Sequence, residues 1–409
     1  MKNNYKSIFY RIITARLLSN FGSFLNMIAL NIFILEKTNS AAILGMAFAV
    51  RVISGMLFSF ISGYIADKYN RKSLMVISDI VLSFLMFVLV FIPSSFVIPY
   101  IIILMIFIGI FSNLFDISLQ ASIPVILNSD QTLNANSVLS AGRNVVIALS
   151  GLCAVFAKFI FKDFNSIFIL DAITYALSAF VILSLSFRTN EEIKKTPVKP
   201  GLKEAFESYK SILKLPQAKV IFICLAILFI DALASASHNI GWPIFSKALN
   251  PREPMFYYGL ILTFWACGNL LGIYLLNKLK FMRELKPEKL YIIFTAVMSL
   301  GMIMIFQTRF TAFIITASLI AGIGDGTYQT FYNTYIQKLD DSVRAKAFAL
   351  TSFMLTSGFG IGFILVPVVL NFFPVNITVL SFHGPVLLIC IVYNLLTKDH
   401  GCKVLRQTG

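Results

Sequence analysis

Apolar residues run through this chain in twelve long blocks, each closed by a cluster of charged residues, proline or glycine. A helix that crosses a bilayer needs about 20 mostly apolar residues. The blocks lie near residues 8–35, 41–66, 73–93, 97–120, 138–161, 165–187, 219–248, 256–279, 288–307, 310–336, 346–371 and 375–397. They predict an all-α membrane protein of twelve transmembrane helices, here spans 1 to 12. An even number puts both ends of the chain on one side. The first block follows Lys2, Lys6 and Arg11 with no small-residue cleavage site behind it, so it reads as a span and not a leader.

Composition removes the soluble alternatives. Of 409 residues, 58% are hydrophobic and 13% charged, against about half and about a quarter in ordinary globular chains. Mean hydropathy is +0.83. No soluble core hides that much apolar surface, which excludes a large soluble enzyme, a disordered chain and a disulfide scaffold. Cys153, Cys224, Cys267, Cys390 and Cys402 are scattered with no CxxC pair and read as small hydrophobes. Neither a metal nor a cofactor is expected.

The net charge of +15 raises the question of nucleic acid, and its distribution answers it. With both termini in the cytoplasm, 25 of the 34 Lys and Arg residues fall in inner segments. Six fall outside (Lys37, Lys158, Lys162, Lys247, Arg252 and Arg309), and Arg16, Arg51 and Arg143 lie within spans. That asymmetry follows the positive-inside rule and predicts a multi-pass plasma-membrane protein. The basicity is topology and attraction to the inner leaflet of the lipid bilayer, not a nucleic-acid footprint.

The longest polar segment, 188–218, divides the chain into a first bundle (1–187), a cytoplasmic linker (188–218), a second bundle (219–397) and a tail (398–409). It is too short for a nucleotide-binding domain, and no G-x-x-x-x-G-K-[ST] occurs, so an ATP-driven pump within the chain is excluded. Sliding the chain against itself by 209 residues puts Gly63 on Gly272, Asp116 on Asp325 and Gln120 on Gln329. Two pseudo-symmetric six-helix bundles in one orientation mark one class of secondary transporter.

Between spans 2 and 3 the chain reads Gly63-Tyr64-Ile65-Ala66-Asp67-Lys68-Tyr69-Asn70-Arg71-Lys72. This resembles the G-x-x-x-D-x-x-x-R-K loop of the major facilitator superfamily, in the loop where that family has it. The second half keeps a worn copy in Gly272, Leu276 and Lys280. Within the superfamily, Thr38-Asn39-Ser40-Ala41, Ala121-Ser122-Ile123-Pro124 and Asn134-Ala135-Asn136 are similar to the macrolide-efflux-type branch. The resemblance implies that Gly63, Asp67, Arg71 and Lys72 form a gating motif that latches the two halves on the cytoplasmic side. A plain inner-loop charge cluster is the other reading.

Ionisable groups at bilayer depth cost at least ~2.5–3.5 kcal/mol on insertion scales, so each asks for a partner or a task. Helical spacing sorts the polar residues into stripes. Span 1 carries Arg16, Asn20, Ser23 and Asn26; span 4 carries Asn113, Asp116 and Gln120. Span 7 carries Asp231, Ser235, His238, Asn239 and Trp242; span 10 carries Asp325, Tyr328, Gln329, Tyr332 and Asn333. The resemblance implies that spans 1, 4, 7 and 10 line one central cavity, and the stripes fall on those four. Asp231 and His238 are proton or substrate candidates against structural hydrogen bonding. Asp116 and Asp325 suit gating, with Arg143 a candidate partner for Asp116. Arg51 fits either an anionic substrate or an ion pair with Asp231. Asp79 and Asp171 read as packing positions, and Trp242, Trp265, Tyr328 and Tyr332 suit substrate stacking or packing.

The expected function is a secondary active transporter, a proton-coupled exporter of amphipathic, drug-like or antibiotic-like small molecules. It is expected to work as a monomer by alternating access. An importer of a small organic solute and a lipid or lysolipid mover are the alternatives. Gly322-Ile323-Gly324-Asp325 resembles the G-x-G-D of intramembrane aspartyl proteases, but the Tyr-Asp and Pro-Ala-Leu signatures of those enzymes are missing. Span 5 lacks the proline of exporting antiporters and span 4 lacks the Arg of many proton-coupled members.

Overall fold

The computed structural model describes residues 2–127, 129–185, 218–279, 282, 285–339 and 341–396. Among them are twelve long helices: α1 (Lys2–Thr38), α2 (Ala41–Lys68), α3 (Arg71–Leu89), α4 (Val97–Ile126), α5 (Ser129–Val155), α6 (Phe164–Ser184), α7 (Ala218–Leu249), α8 (Pro254–Lys278), α9 (Pro287–Ile305), α10 (Thr311–Gln337), α11 (Asp341–Leu370) and α12 (Val375–Leu396). One further turn of helix, Ala157–Ile160, follows α5. The linker expected at 188–218 and the tail expected at 398–409 lie outside the described residues, apart from Ala218.

Eleven of the twelve helices are long and apolar enough to cross a membrane by length and composition. The twelfth, α10, is diluted by Asp325, Gln329 and Asn333 together with three glycines and five threonines. Two boundaries differ from expectation. Helix α4 continues to Ile126 and α5 begins at Ser129, so both run past the apolar blocks. Apolar length measures only the stretch in hydrocarbon, while helical hydrogen bonding continues into the polar layer where water permits.

Local chemistry sets the turns. Helix α1 ends where Asn39 takes a positive φ of 48°, a left-handed conformation that Asn tolerates, and its N–H returns to Leu35 O at 2.9 Å. The next residue, Ser40, caps α2 by accepting from the Ile43 N–H at 3.3 Å. Asn70 caps α3 through the Ser73 N–H, and Asp163 caps α6 through Ser166.

Helices α1–α6 and α7–α12 form two bundles with the same internal packing. In the first, α1 packs on α5 and α6, α2 on α4, and α3 on α4 and α6. In the second, α7 packs on α11 and α12, α8 on α10, and α9 on α10 and α12. Each pairing recurs six helices later, which is the structural form of the 209-residue offset. The bundles meet chiefly through α5 against α8 and α2 against α11. At the α5–α8 crossing Gly151 and Gly259 face each other, and a Cβ on either would come within 2.6 Å of the other's carbonyl oxygen. Small residues let backbones approach this closely where lipid supplies no hydrophobic drive. The end at which α1 begins is called the terminal face below, and the opposite end the distal face.

Candidate functional site

The bundles are joined at the distal face. Lys158, after α5, pairs with Glu253 before α8. Lys247 at the end of α7 donates to Asn39 Oδ1 at 2.8 Å and to Leu35 O at 3.2 Å. Asn31 on α1 donates to the Tyr258 hydroxyl of α8 at 3.0 Å, and Phe48 on α2 stacks on Phe363 of α11 at 4.9 Å. These contacts, with the Gly151–Gly259 crossing, close that end.

Toward the terminal face lies a cavity of about 310 Å³ lined by Arg16, Asn20, Ser23, Phe24 and Met27 of α1, Arg51 of α2, Asp116, Leu119 and Gln120 of α4, Ser140 and Arg143 of α5, and Tyr175 of α6. Gln120, Ser140 and Arg143 are exposed in it. A narrow pocket of about 30 Å³ shares Ser23, Met27, Arg51 and Tyr175 with it and continues to Asn26, Asn31, Phe48 and Asp171. On α4 the residue facing the cavity is Ser112; Asn113 lies off that face with its side-chain oxygen buried and unbonded.

Only one of the three cations in this cavity is ion-paired among the described residues. Arg16 Nη2 lies 2.5 Å from Asp116 Oδ1, and the Arg16 guanidinium sits 4.2 Å over the Phe115 ring. Arg16, not Arg143, therefore holds Asp116. Arg143 lies over the Phe24 ring at 5.7 Å. Among the described residues neither Arg143 nor Arg51 makes a side-chain hydrogen bond or an ion pair. Arg51 also does not pair with Asp231, which belongs to the other bundle. Asp171 is the carboxylate of the narrow pocket, with Ser23 Oγ at 3.3 Å from its Oδ1. Asp171 is buried in the α1–α6 packing as expected, and it also borders this pocket. Helix α6 reaches the cavity because α1 carries Gly22 at their contact, where a Cβ would stand 2.1 Å from Thr174 Oγ1 and 2.9 Å from Asp171 Oδ1.

The stripes of α7 and α10 do something different from what their spacing suggests. They line neither of these two cavities and instead face one another inside the second bundle. The Tyr328 hydroxyl donates to Asp231 Oδ2 at 3.0 Å, and Asp231 Oδ1 is buried without a partner. Gln329 donates to Asp325 Oδ1 at 2.6 Å, and the Tyr332 hydroxyl lies 3.1 Å from Thr351 Oγ1. Tyr291 of α9 packs edge-on against Tyr328. Of the α10 stripe only Gln329 and Asn333 are exposed. The expectation of one pocket bordered by all four stripes is corrected accordingly: a helical stripe says which residues share a side, not which neighbour covers it.

His238 is not alone. Its Nδ1 lies 3.0 Å from Nε2 of His383 on α12, whose Nδ1 lies 3.3 Å from Ser299 Oγ on α9. Trp242 packs on His238 with ring centroids 4.6 Å apart and on Tyr258 and Trp265 beyond. Ser235 is buried, and its carbonyl accepts from Asn239 at 2.9 Å. These aromatic and imidazole groups bury one another, which favours the packing reading over substrate stacking for Trp242.

In the loop between α2 and α3, Arg71 donates to the carbonyls of Ala66 (3.1 Å) and Ala121 (2.7 Å). Lys72 donates to those of Leu183 (2.8 Å) and Leu185 (2.6 Å) at the end of α6, a position the helix dipole favours for a cation. These bonds join α2, α3, α4 and α6 within the first bundle. Gly63 faces open space, and the Asp67 side chain lies outside the described residues.

A sequence profile described as Major Facilitator Superfamily matches residues 12–363. The chain belongs to the major facilitator superfamily. Solved structures of this transporter fold align over nearly all of it. The nucleoside transporter NupG is similar at a TM-score of 0.74 and 11% identity, covering 96% of this chain and 100% of that one. A POT family transporter in complex with 5-aminolevulinic acid aligns at 0.72 and 13%, covering 95% of each chain. A bacterial homologue of the human lysosomal transporter Spinster aligns at 0.69 and 13%, covering 97% and 95%. At such identities the likeness establishes the fold of two six-helix bundles and no substrate. A search of curated proteins found no match. This transporter is a multi-pass membrane protein, and the proteolytic reading of Asp325 has no support.

Proposed function

We propose that this facilitator is a proton-coupled secondary transporter that exports amphipathic small molecules by alternating access. One observation carries the reading: an ion pair, hydrogen bonds and a glycine crossing hold the bundles together at the distal face, while a cavity with both apolar walls (Phe24, Met27, Leu119, Leu139) and charged walls lies toward the terminal face. The positive-inside asymmetry assigns the terminal face to the cytoplasm of the plasma membrane, so a substrate loads from inside. Rocking of the bundle 1–187 against the bundle 219–397 about the linker 188–218 then opens the distal side. The motif of Gly63, Asp67, Arg71 and Lys72 latches the cytoplasmic side in that second state. The resemblance of Thr38-Asn39-Ser40-Ala41 and its companions to macrolide-efflux proteins supports export.

Asp231 is the group that we assign to proton exchange. It is buried, with one oxygen bonded to the neutral Tyr328 hydroxyl and the other to nothing. A bare carboxylate charge there is costly, so enclosure of the site and proton occupancy are coupled. Asp325, one turn from Tyr328, is its neighbour in that cluster. A proton crossing ~150 mV releases roughly 3.5 kcal/mol, enough for a solute gradient of a few hundredfold.

The test is accumulation of a chemically broad panel of amphipathic compounds in cells with and without the protein, repeated with a protonophore. Export predicts lower accumulation that the protonophore abolishes. Unchanged accumulation across the panel defeats the transport reading, and raised accumulation replaces export by uptake.

A further inference from the structure

Of the three arginines on the first-bundle cavity, only Arg16 is ion-paired among the described residues. Three guanidinium groups line it against the single carboxylate of Asp116, and Asp116 is taken by Arg16. The narrow continuation adds Asp171, beside which Ser23 already lies. Arg51 borders both spaces and Arg143 the larger, each without an ion pair among the described residues. Arginine inside a membrane is costly and is normally paired. Snorkelling to the headgroups explains a charge near a helix end, but Arg51 is eleven residues into a 28-residue helix. Two unpaired guanidinium planes on a water-accessible, low-dielectric cavity form a focused positive potential, and each offers a fork that fits a carboxylate or phosphate bidentately. Phe24, Met27, Leu119 and Leu139 supply apolar wall beside them.

We infer that the transported molecule carries a carboxylate or phosphate group, bound by Arg51 and Arg143, with its apolar body against the walls of α1, α4 and α5. This rests on the transport reading above and names the class of its substrate. The anion supplies the ion pair that Arg51 and Arg143 lack among the described residues, so a neutral or cationic molecule of the same shape binds more weakly. The carboxylates of Asp116 and Asp171 oppose any anion that does not touch the two guanidinium groups directly, so only a close, matched contact holds it.

The test is equilibrium dialysis with the purified full-length protein in nanodiscs of neutral phosphatidylcholine, using radiolabelled 1-naphthoate and 1-naphthyl phosphate. Methyl 1-naphthoate and 1-naphthylmethylammonium serve as neutral and cationic counterparts. Both anions are expected to bind at least tenfold more tightly than either counterpart and to weaken as chloride rises. Arg51→Gln and Arg143→Gln are each expected to weaken anion binding about tenfold to a hundredfold and to leave the weak ester binding unchanged. Arg143→Lys should recover part of the loss. Adding lysophosphatidate to the nanodiscs displaces the probes if the anion enters as a lipid headgroup. It leaves them bound if the anion comes from water, and either result keeps the site. Equal affinity for acid and ester, no chloride dependence in the wild-type protein, or unchanged anion binding in both glutamine variants overturns the proposal. Binding is read without a gradient, so failed pumping with intact anion binding defeats the export reading alone. Pumping of neutral compounds with no anion preference defeats this site alone.

Discussion

The α5–α8 crossing is where a single methyl group should move the conformational balance. In Gly151→Ala the new Cβ would lie 2.6 Å from Gly259 O, 2.6 Å from Thr263 Oγ1 and 2.9 Å from Thr263 N. Ordinary contact begins at 3.4 Å, so α5 and α8 must part by about 0.8 Å along a backbone carbonyl that has nowhere to rotate. Overpacking of this kind costs about 1–3 kcal/mol. Alanine also gains about 0.8–1 kcal/mol of helix propensity over glycine, but α5 is helical whichever way the bundles rock, so that gain cancels between conformations. The remaining cost falls on the state in which the distal crossing is closed. The equilibrium should shift away from it by about 5- to 150-fold. A reporter cysteine at Ser140, on an otherwise cysteine-free chain, reads this directly. Its labelling by a membrane-impermeant maleimide from the terminal face should slow in Gly151→Ala, by at most the factor of that shift, while the protein stays folded. An unchanged labelling rate would refute the reasoning, because the glycine contact would then not belong to one conformation.

Asp231→Asn keeps an oxygen to accept from Tyr328 and should change stability by less than about 1 kcal/mol, yet lower protonophore-sensitive export at least tenfold while sparing gradient-free counterflow; full export removes Asp231 from the proton role. The Arg16–Asp116 pair is asymmetric, with side chains 9% and 58% exposed. Asp116→Asn, which strands the buried guanidinium, should cost about 1–3 kcal/mol in thermal melting, and Arg16→Gln, which releases a carboxylate already in water, should cost less; the reverse order contradicts the geometry. The exposed Asp163 carboxylate accepts from the Ser166 hydroxyl (2.8 Å) and the Ser166 N–H (2.9 Å), which hold it below the usual carboxylate range. A carboxylate depressed in the folded state stabilises above its unfolded pKa and loses that contribution as pH falls through the folded value. The α6 cap is therefore intact at neutral pH and released below about pH 4, and Asp163→Asn should flatten the acid limb of the melting curve.

The architecture was legible because its cause is crude. Twelve apolar blocks of bilayer length and one internal offset define twelve helices in two like bundles, and no competing arrangement of those blocks satisfies the backbone in lipid. The site was legible only on the first half of the chain. There the stripe of Arg16, Asn20, Ser23 and Asn26 faces the cavity. The same argument applied to α7 and α10 found the right side of each helix but the wrong neighbour, since Tyr328 donates to one oxygen of Asp231 across the second bundle. Partners about a hundred residues apart or more carry no spacing signal. That is why Arg143 was matched to Asp116 in place of Arg16, and why His238 looked solitary. One signal was available for Asp171: Gly22, interrupting the polar face of α1, marks the spot where a side chain from another helix must fit.

The offset of 209 residues also explains why the two bundles hold their charges so differently. Position by position, Arg16, Arg51 and Arg143 correspond to Leu225, Leu260 and Ser352, so the second copy keeps none of the three cations. Asp116 and Asp325 correspond to each other, but with Leu225 in place of the arginine Asp325 accepts instead from a neutral donor, Gln329, one turn along its own helix at 2.6 Å. Conversely Asp231 corresponds to Gly22, and His383 to Thr174, the residue that packs against Gly22. The α1–α6 contact in one copy is thus a close backbone approach that admits Asp171. Its counterpart, α7 against α12, holds the buried contact of His238 with His383. A shared scaffold has been filled with cations facing water in one half and with carboxylates and imidazoles facing one another in the other. On the proposed function, substrate charge and proton belong to separate bundles and communicate through the motion of one bundle against the other, as a coupled carrier requires.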